Sequence, residues 1–162
     1  MFAGGDYRFS HCTFANYSTM HQAPSIRMSN YYEDVNGNEQ LRPMERADFE
    51  NCIIYGKIES EIGVEESENT TFNYKFNNCL IKLIESDYDI SNTTHFSNNI
   101  INENPEFIQT MDLFEYNYEL DTLSAAQNSA ASNIALQFEY DLNGNYRFTD
   151  GSPDIGAYER IE

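Results

Sequence analysis

Five short segments of the chain repeat one pattern: an apolar residue, a polar residue, Asn or His, then a small, polar or aromatic residue. They are Phe9-Ser10-His11-Cys12, Met28-Ser29-Asn30-Tyr31, Phe49-Glu50-Asn51-Cys52, Phe76-Asn77-Asn78-Cys79 and Phe96-Ser97-Asn98-Asn99. Counted at the third position, the intervals are 19, 21, 27 and 20 residues. A period near 20 with one longer interval predicts a solenoid of short strands and bends, each coil covering the next.

Strict strand alternation would put Phe49 and Asn51 on one face and Glu50 and Cys52 on the other. Phe and Cys both belong inside, so the alternation must reset between them. One left-handed residue at Asn51 does this, because Asn tolerates that conformation better than a branched residue. Phe49, Cys52 and Ile54 then point in, while Glu50, Ile53 and Tyr55 point out. The same reading predicts a column of corners at His11, Asn30, Asn51, Asn78 and Asn98, whose side chains could bond one another along the stack. Cys12, Cys52 and Cys79 share one position of the repeat. An odd count at wide spacing argues for packed free thiols over a disulfide framework.

The chain has 162 residues, enough for one domain with a sizeable core. Its 27 acidic residues outnumber 9 Lys and Arg, for a formal charge of −18. That balance makes duplex nucleic acid an unsuitable partner, since phosphate binding needs clustered cations. No apolar run approaches membrane-spanning length. Residues Met1 to Asp6 carry neither a basic region nor an apolar core, so no export signal is expected within them.

The F-x-N-C-x-I segments over about residues 7 to 108 resemble the right-handed parallel β-helix family, the pectate-lyase-like superfold. The stretch Asp141-Leu142-Asn143-Gly144-Asn145-Tyr146-Arg147, followed by Pro153-Asp154-Ile155-Gly156-Ala157-Tyr158-Glu159, is similar to the D-x-[DN]-G-N-x-R … D-I-G-A-Y-E ending of bacterial, usually secreted or surface-anchored, β-helix proteins. Ser124-Ala125-Ala126-Gln127-Asn128 departs from the Ser-Pro-Ala-Ile-Asp-like segment that usually precedes it. The resemblance implies an all-β right-handed parallel β-helix and an extracellular or cell-surface location. About five rungs are expected over residues 1–108. Residues 109–162 are expected as a tail that packs on and ends the solenoid, with a hairpin near Asn143-Gly144 and a short helical turn around 121–131.

The bend reading also sorts the outer surface. Thr13, Tyr32, Ile53, Leu80 and Ile100 follow the corner, and the apolar members need a cover, expected from the tail or from a partner. Before the corner stand Arg8, Arg27, Asp48, Lys75 and His95. The basic column Arg8, Arg27, Lys75 and His95 could hold carboxylate or sulfate groups of an acidic polysaccharide; alternatively these cations pair with Asp48, Glu50 and nearby acids. A β-helix lyase would need carboxylates gathered on calcium and a Lys or Arg base. Asp87, Asp89 and the run from Glu59 to Glu68 supply acids, but they read first as solvated loop residues. His11, His21 and His95 are scattered, and no Ser-His-Asp set is evident.

No cofactor or resident metal is expected. Asp34-Val35-Asn36-Gly37-Asn38 and its near twin at 141–145 distantly resemble the start of a calcium loop, and turn chemistry explains them equally. The expected role is a noncatalytic surface or secreted module, a scaffold or glycan-contacting segment. The alternatives are the C-terminal part of a carbohydrate-active β-helix enzyme, of polysaccharide lyase or glycoside hydrolase type, or a self-associating module whose first rung, Tyr7 to Phe14, stacks on a copy of itself.

Overall fold

A computed structural model describes residues 2–17, 22–111 and 115–161; His21 lies outside them. The regular secondary structure is mostly β, with parallel sheets. It passes three faces in turn and then returns to the first. The first pass is β1 (Phe2–Ala3), β2 (Gly5–Ser10) and β3 (Thr13–Asn16). The second is β4 (Ile26–Ser29), an antiparallel hairpin of β5 (Tyr31–Glu33) and β6 (Glu39–Leu41), then β7 (Met44–Glu50) and β8 (Ile53–Gly56). The third is β9 (Ile62–Glu65), β10 (Lys75–Asn77) and β11 (Leu80–Ile81), and the last comprises β12 (Phe96–Ser97) and β13 (Ile100–Ile101). Among the described residues these strands form three parallel sheets, ordered β1-β4-β9, β12-β10-β7-β2 and β13-β11-β8-β3.

Register across the second sheet is set by one residue type. Phe9, Phe49, Phe76 and Phe96 are paired neighbours, and their rings stack at 5.0, 4.9 and 5.5 Å between centroids. The strands turn directly after them. His11, Asn51, Asn78 and Asn98 have φ of 51°, 50°, 53° and 53°, the left-handed conformation that the switch of face requires. Hydrogen bonding runs through the corner without a gap: Asn51 N–H donates to Asn77 O (3.1 Å), and Leu80 N–H to Cys52 O (2.9 Å). Phe49, Cys52, Ile54, Phe76, Cys79 and Ile81 are fully buried together. The cysteines are free, and their Sγ atoms donate to carbonyls such as Glu50 O (3.3 Å) and Asn77 O (3.5 Å). The fourth pass has Asn99 in their place, where its side chain accepts from Cys79 N–H (2.8 Å) and donates to Phe76 O (3.0 Å).

Met28-Ser29-Asn30-Tyr31 does not join this stack. Met28 pairs with Phe2 and Val64 in the first sheet, so the phenylalanine column has four levels among the described residues, and 40 residues separate Phe9 from Phe49. Asn30 is therefore no corner. It is fully buried, where Oδ1 accepts from Ser67 N–H (2.7 Å) and Nδ2 donates to Ser67 O (2.8 Å) and Thr70 O (3.1 Å). The local sequence is the same, but a buried loop backbone claims the amide. Arg27 moves with it and lies beside Gly63. The acids of 59–68 are likewise not all solvated. Glu61 is fully buried, accepting from Ser25 Oγ (2.7 Å), Ser25 N–H (3.1 Å), Asn16 Nδ2 (3.0 Å) and Ile58 N–H (3.3 Å).

The tail covers the apolar stripe after the corner. Ile53 and Leu80 pack with Leu120, Ala126 and Ile155, with Ile100 and Phe107 at the margin. Thr13 Oγ1 accepts from Ala157 N–H (3.0 Å). Gly156, at φ 106°, passes so close that a Cβ there would lie 2.7 Å from Ile53 Cδ1, which requires glycine on both counts. Tyr32 is not in the stripe; it sits on the β5–β6 hairpin, under the Arg42 guanidinium at 4.9 Å. Residue 108 falls inside β14 (Phe107–Gln109), which pairs antiparallel with β15 (Asn117–Leu120). The helical turn, α1, occupies Ser132–Ala135, after the expected stretch; backbone groups of Ala126, Asn128 and Ala130 bond to Ile155, Asp154 and Pro153 instead, and those of Ser129 and Ala131 to Asn78 and Asn51. The hairpin near Asn143-Gly144 is a tight turn closed by one antiparallel bridge, Tyr140 to Tyr146.

Candidate functional site

The outward face of β2, β7, β10 and β12 brings part of the basic column together. Arg8, Asp48 and Lys75 are register neighbours, as are Ser10, Glu50, Asn77 and Ser97. Parallel strands therefore set hydroxyl, carboxylate, amide and ammonium groups side by side at about 4.8 Å. Asp48, Glu50, Lys75 and Asn77 line a shallow cleft of about 160 Å³. Arg8 is already engaged: Nε donates to Glu50 Oε2 (2.7 Å) and Nη2 to Gln137 Oε1 (3.0 Å), while Ser10 Oγ donates to the same Glu50 oxygen (2.9 Å). Arg27 stands in another sheet and pairs with Glu65. His95 keeps its place beside Lys75, but its ring lies flat on Tyr74 at 4.0 Å, with Nδ1 held by Tyr74 O at 2.9 Å. The strip is thus of mixed charge rather than a run of cations.

Two carboxylates that the spacing alone left as counterions belong to this face. Asp48 and Glu50 sit two residues apart on β7, and burial, then Glu50, raises the Asp48 carboxyl above the usual range. Strand alternation places both outward, and the register with Arg8 and Lys75 brings them onto one face. Asp87 and Asp89 are exposed, and Asp89 caps its own turn through Ser91 Oγ (2.6 Å). Cys12 is half-buried. Its hydrogen bond with Cys52 and its burial push the thiol far up, which disfavours the thiolate.

The corner column does not form the amide-to-amide ladder. Asn51 Nδ2 contacts His11 Nε2 at 2.9 Å, but Asn51 also binds both backbone groups of Ala131, through Oδ1 (2.8 Å) and Nδ2 (3.1 Å). Asn78 Nδ2 donates to Ser129 O (3.3 Å), and Asn98 is exposed. The tail backbone supplies donors and acceptors that a neighbouring amide would have to share. Since Asn51 Oδ1 is occupied by Ala131, its Nδ2 faces the imidazole. His11 Nε2 is then the acceptor and the ring proton rests on Nδ1. Burial, then the Arg147 charge, lowers the His11 pKa to about 3.

The ending from Asp141 to Glu159 folds into its own ion network. Arg147 and Glu159 pair at 3.1 Å with side chains 2% and 0% exposed. Glu159 also accepts from Asp154 N–H (3.0 Å), Asp154 from Asn128 N–H (2.6 Å) and Arg160 N–H (2.8 Å), and Asp141 from Glu159 N–H (2.8 Å). Asn128 thereby enters the final turn in place of the expected Ser-Pro-Ala-Ile-Asp-like segment. Asp141 further accepts from the N–H groups of Asn143 (2.9 Å) and Asn145 (2.7 Å), as Asp34 does from Asn36 (2.9 Å) and Asn38 (3.0 Å). Both twin segments are aspartate-capped turns. Among the described residues no group of three or more His, Cys, Asp or Glu is placed to hold a metal ion, and no helix is long and apolar enough to cross a membrane. Set against known protein families, curated proteins and solved structures, the chain matches none.

Proposed function

We propose that the chain is a right-handed parallel β-helix segment of a bacterial surface or secreted protein. In this reading it is a noncatalytic scaffold whose outward strip on β2, β7, β10 and β12 contacts glycan. The fold reading is supported by three parallel sheets visited in cyclic order and by left-handed corners at His11, Asn51, Asn78 and Asn98. The observation that carries the functional reading is the strip itself: Ser10, Glu50, Asn77 and Ser97 beside Arg8, Asp48 and Lys75, in register. A linear array of donors and acceptors suits the repeated hydroxyls of an extended sugar chain. Arg8 and Arg27 are ion-paired, so hydroxyl-rich neutral glycan fits better than a polyanion; Lys75 remains for a single carboxylate.

An array of neutral and uronate polysaccharides tests this. Binding is expected on neutral polymers, weakened about tenfold or more in Lys75→Ala, the loss of roughly one charged hydrogen bond. Arg27→Ala should bind as the parent does. Binding to neither class would reject the reading. One observation favours an enzymatic alternative: Asp48, with its raised carboxyl, beside Glu50 on one face. Glycoside hydrolysis uses such an unequal pair. Sugar released on the same array would select that alternative.

A further inference from the structure

At His95 the outward face opens into a second cleft, of about 240 Å³, between the end of β9, Tyr74 and the loop 85–95. Its apolar lining comes from Val64, Tyr74, Tyr88 and Phe96. These groups are fixed from behind. Tyr88 Oη donates to Ile62 O (2.9 Å), the buried Phe96 ring stacks on Phe76 at 5.5 Å, and one face of Tyr74 is covered by His95. In the neutral ring, the contact with Tyr74 O puts the His95 proton on Nδ1, which leaves Nε2 as an acceptor. Imidazole aside, the titratable lining is acidic: Glu66, Asp87 and Asp89, all exposed. Among the described residues none of the three is in an ion pair. The hydroxyls of Ser86 and Ser91 occupy only Oδ1 of Asp87 and of Asp89. Burial, then the Glu66 charge, pushes the Tyr74 phenol up to about 12, so it stays a neutral hydrogen-bonding group. Asn92 Oδ1 accepts from Thr94 N–H (3.0 Å), which leaves its Nδ2 as a donor.

We propose that this cleft binds a protonated primary amine, presented by an amino-sugar unit of a glycan lying along the strip. The cleft is smaller than the roughly 300–1,000 Å³ of drug-sized sites, which suits one sugar unit. Among the described residues no three His, Cys, Asp or Glu side chains are placed to share a metal ion, so the acids suit a larger cation. An ammonium group has three N–H donors and no acceptor. The carboxylates and His95 Nε2 match that pattern, and the Tyr74 and Tyr88 rings add attraction for a cation. Asn92 Nδ2 remains for a sugar hydroxyl. A uronate carboxylate would meet the same acids and be repelled, and an N-acetylated sugar would bring no charge to them. The net charge of −18 draws cationic ligands toward the chain from a distance. His95 stands beside Lys75 in the strip, so a glycan on β7 and β10 reaches the cleft one level further on. The sugar is taken from the strip reading, on which the proposal rests; the amine is read from the cleft alone.

Oligomers of glucosamine, N-acetylglucosamine and glucose of equal length test this at pH 7 in physiological salt. Calorimetry gives the affinities, and the ring-proton resonances of Tyr74, Tyr88 and His95 give the location. The glucosamine oligomer should bind about tenfold or more tighter than the other two and shift those rings. In the Glu66→Gln, Asp87→Asn double variant that preference should disappear, while the glucose oligomer binds as it does to the parent. Removing two of the 18 net negative charges barely alters a general attraction for polycations, so the loss reports on the cleft. Equal affinity for all three oligomers, or a preference that survives in the double variant, overturns the proposal. Glucose-oligomer binding with no amine preference overturns it and leaves the strip reading standing. Ring shifts with the glucosamine oligomer only, abolished in the double variant, support the cleft and reject the strip.

Discussion

Replacing Arg147 with methionine is expected to destabilise the protein by about 3–5 kcal/mol, the usual cost of stripping one partner from a buried ion pair. The guanidinium is 98% buried by side-chain exposure and Glu159 fully so. Nη2 also donates to Gly156 O (3.2 Å) and Ala157 O (3.4 Å), the two residues that bind Asn51 O and Thr13 Oγ1. Without Arg147 the Glu159 carboxyl would sit beside Asp154 in a dry site with no counter-cation and with its bond from Nη1 unmade. Burial, then Asp154, already raises Glu159 to about 8. The Arg147→Met, Glu159→Leu double variant should recover most of the loss, because it removes both charges. Urea unfolding of the parent, both single variants and the double variant measures this. Loss of the tail would also uncover Ile53 and Leu80, which are 1% and 0% exposed, so the cost belongs to the whole stack.

Acidification should remove about 2 kcal/mol between pH 7 and pH 5 through His11 alone. Its folded pKa, about 3, lies below the unfolded 6.5, so between those values the unfolded chain binds the extra proton. This contribution is intact above pH 6.5, declines as pH falls below it, and is exhausted near pH 3. Protonation would place a cation beside Arg147 and turn Nε2 from acceptor to donor against Asn51 Nδ2. Carboxyls raised in the fold, Asp48, Asp154 and Glu159, shift the balance the other way, so the informative quantity is a difference. His11→Asn keeps a side chain suited to φ 51° and does not titrate. Its stability relative to the parent should rise by about 2 kcal/mol from pH 7 to pH 5; a constant difference would mean that His11 is not held neutral by the fold.

Much of the interior could be read from single residues. Phe, Cys and the following Ile face inward because one left-handed Asn resets a two-residue alternation, and that is local physics. Ile53, Leu80 and Ile100 announced that something must cover them, and the tail does. What spacing concealed was which face a segment occupies. Met28-Ser29-Asn30-Tyr31 has the same local form as the Phe segments, yet it pairs with Phe2 and Val64, since each of the first three passes visits three sheets and the spacing at the Phe column runs from 20 to 40 residues. Arg27 left the basic column for the same reason. Glu61 looked like one acid among several in a loop; three of the four donors that bind it come from Asn16 and Ser25, more than 30 residues away, which its own neighbourhood does not predict. Asp48 and Glu50 were visible as outward residues, but whether they neutralise cations or form a site depends on where Arg8 points, and that is decided by Glu50 and Gln137.

Interstrand nuclear Overhauser effects across the second sheet test the parallel four-level stack most directly. Parallel-register contacts are predicted from Phe9 to Phe49, Phe49 to Phe76 and Phe76 to Phe96, with Met28 contacting Phe2 and Val64. Contacts from Met28 to Phe9 and Phe49 in their place would contradict the account.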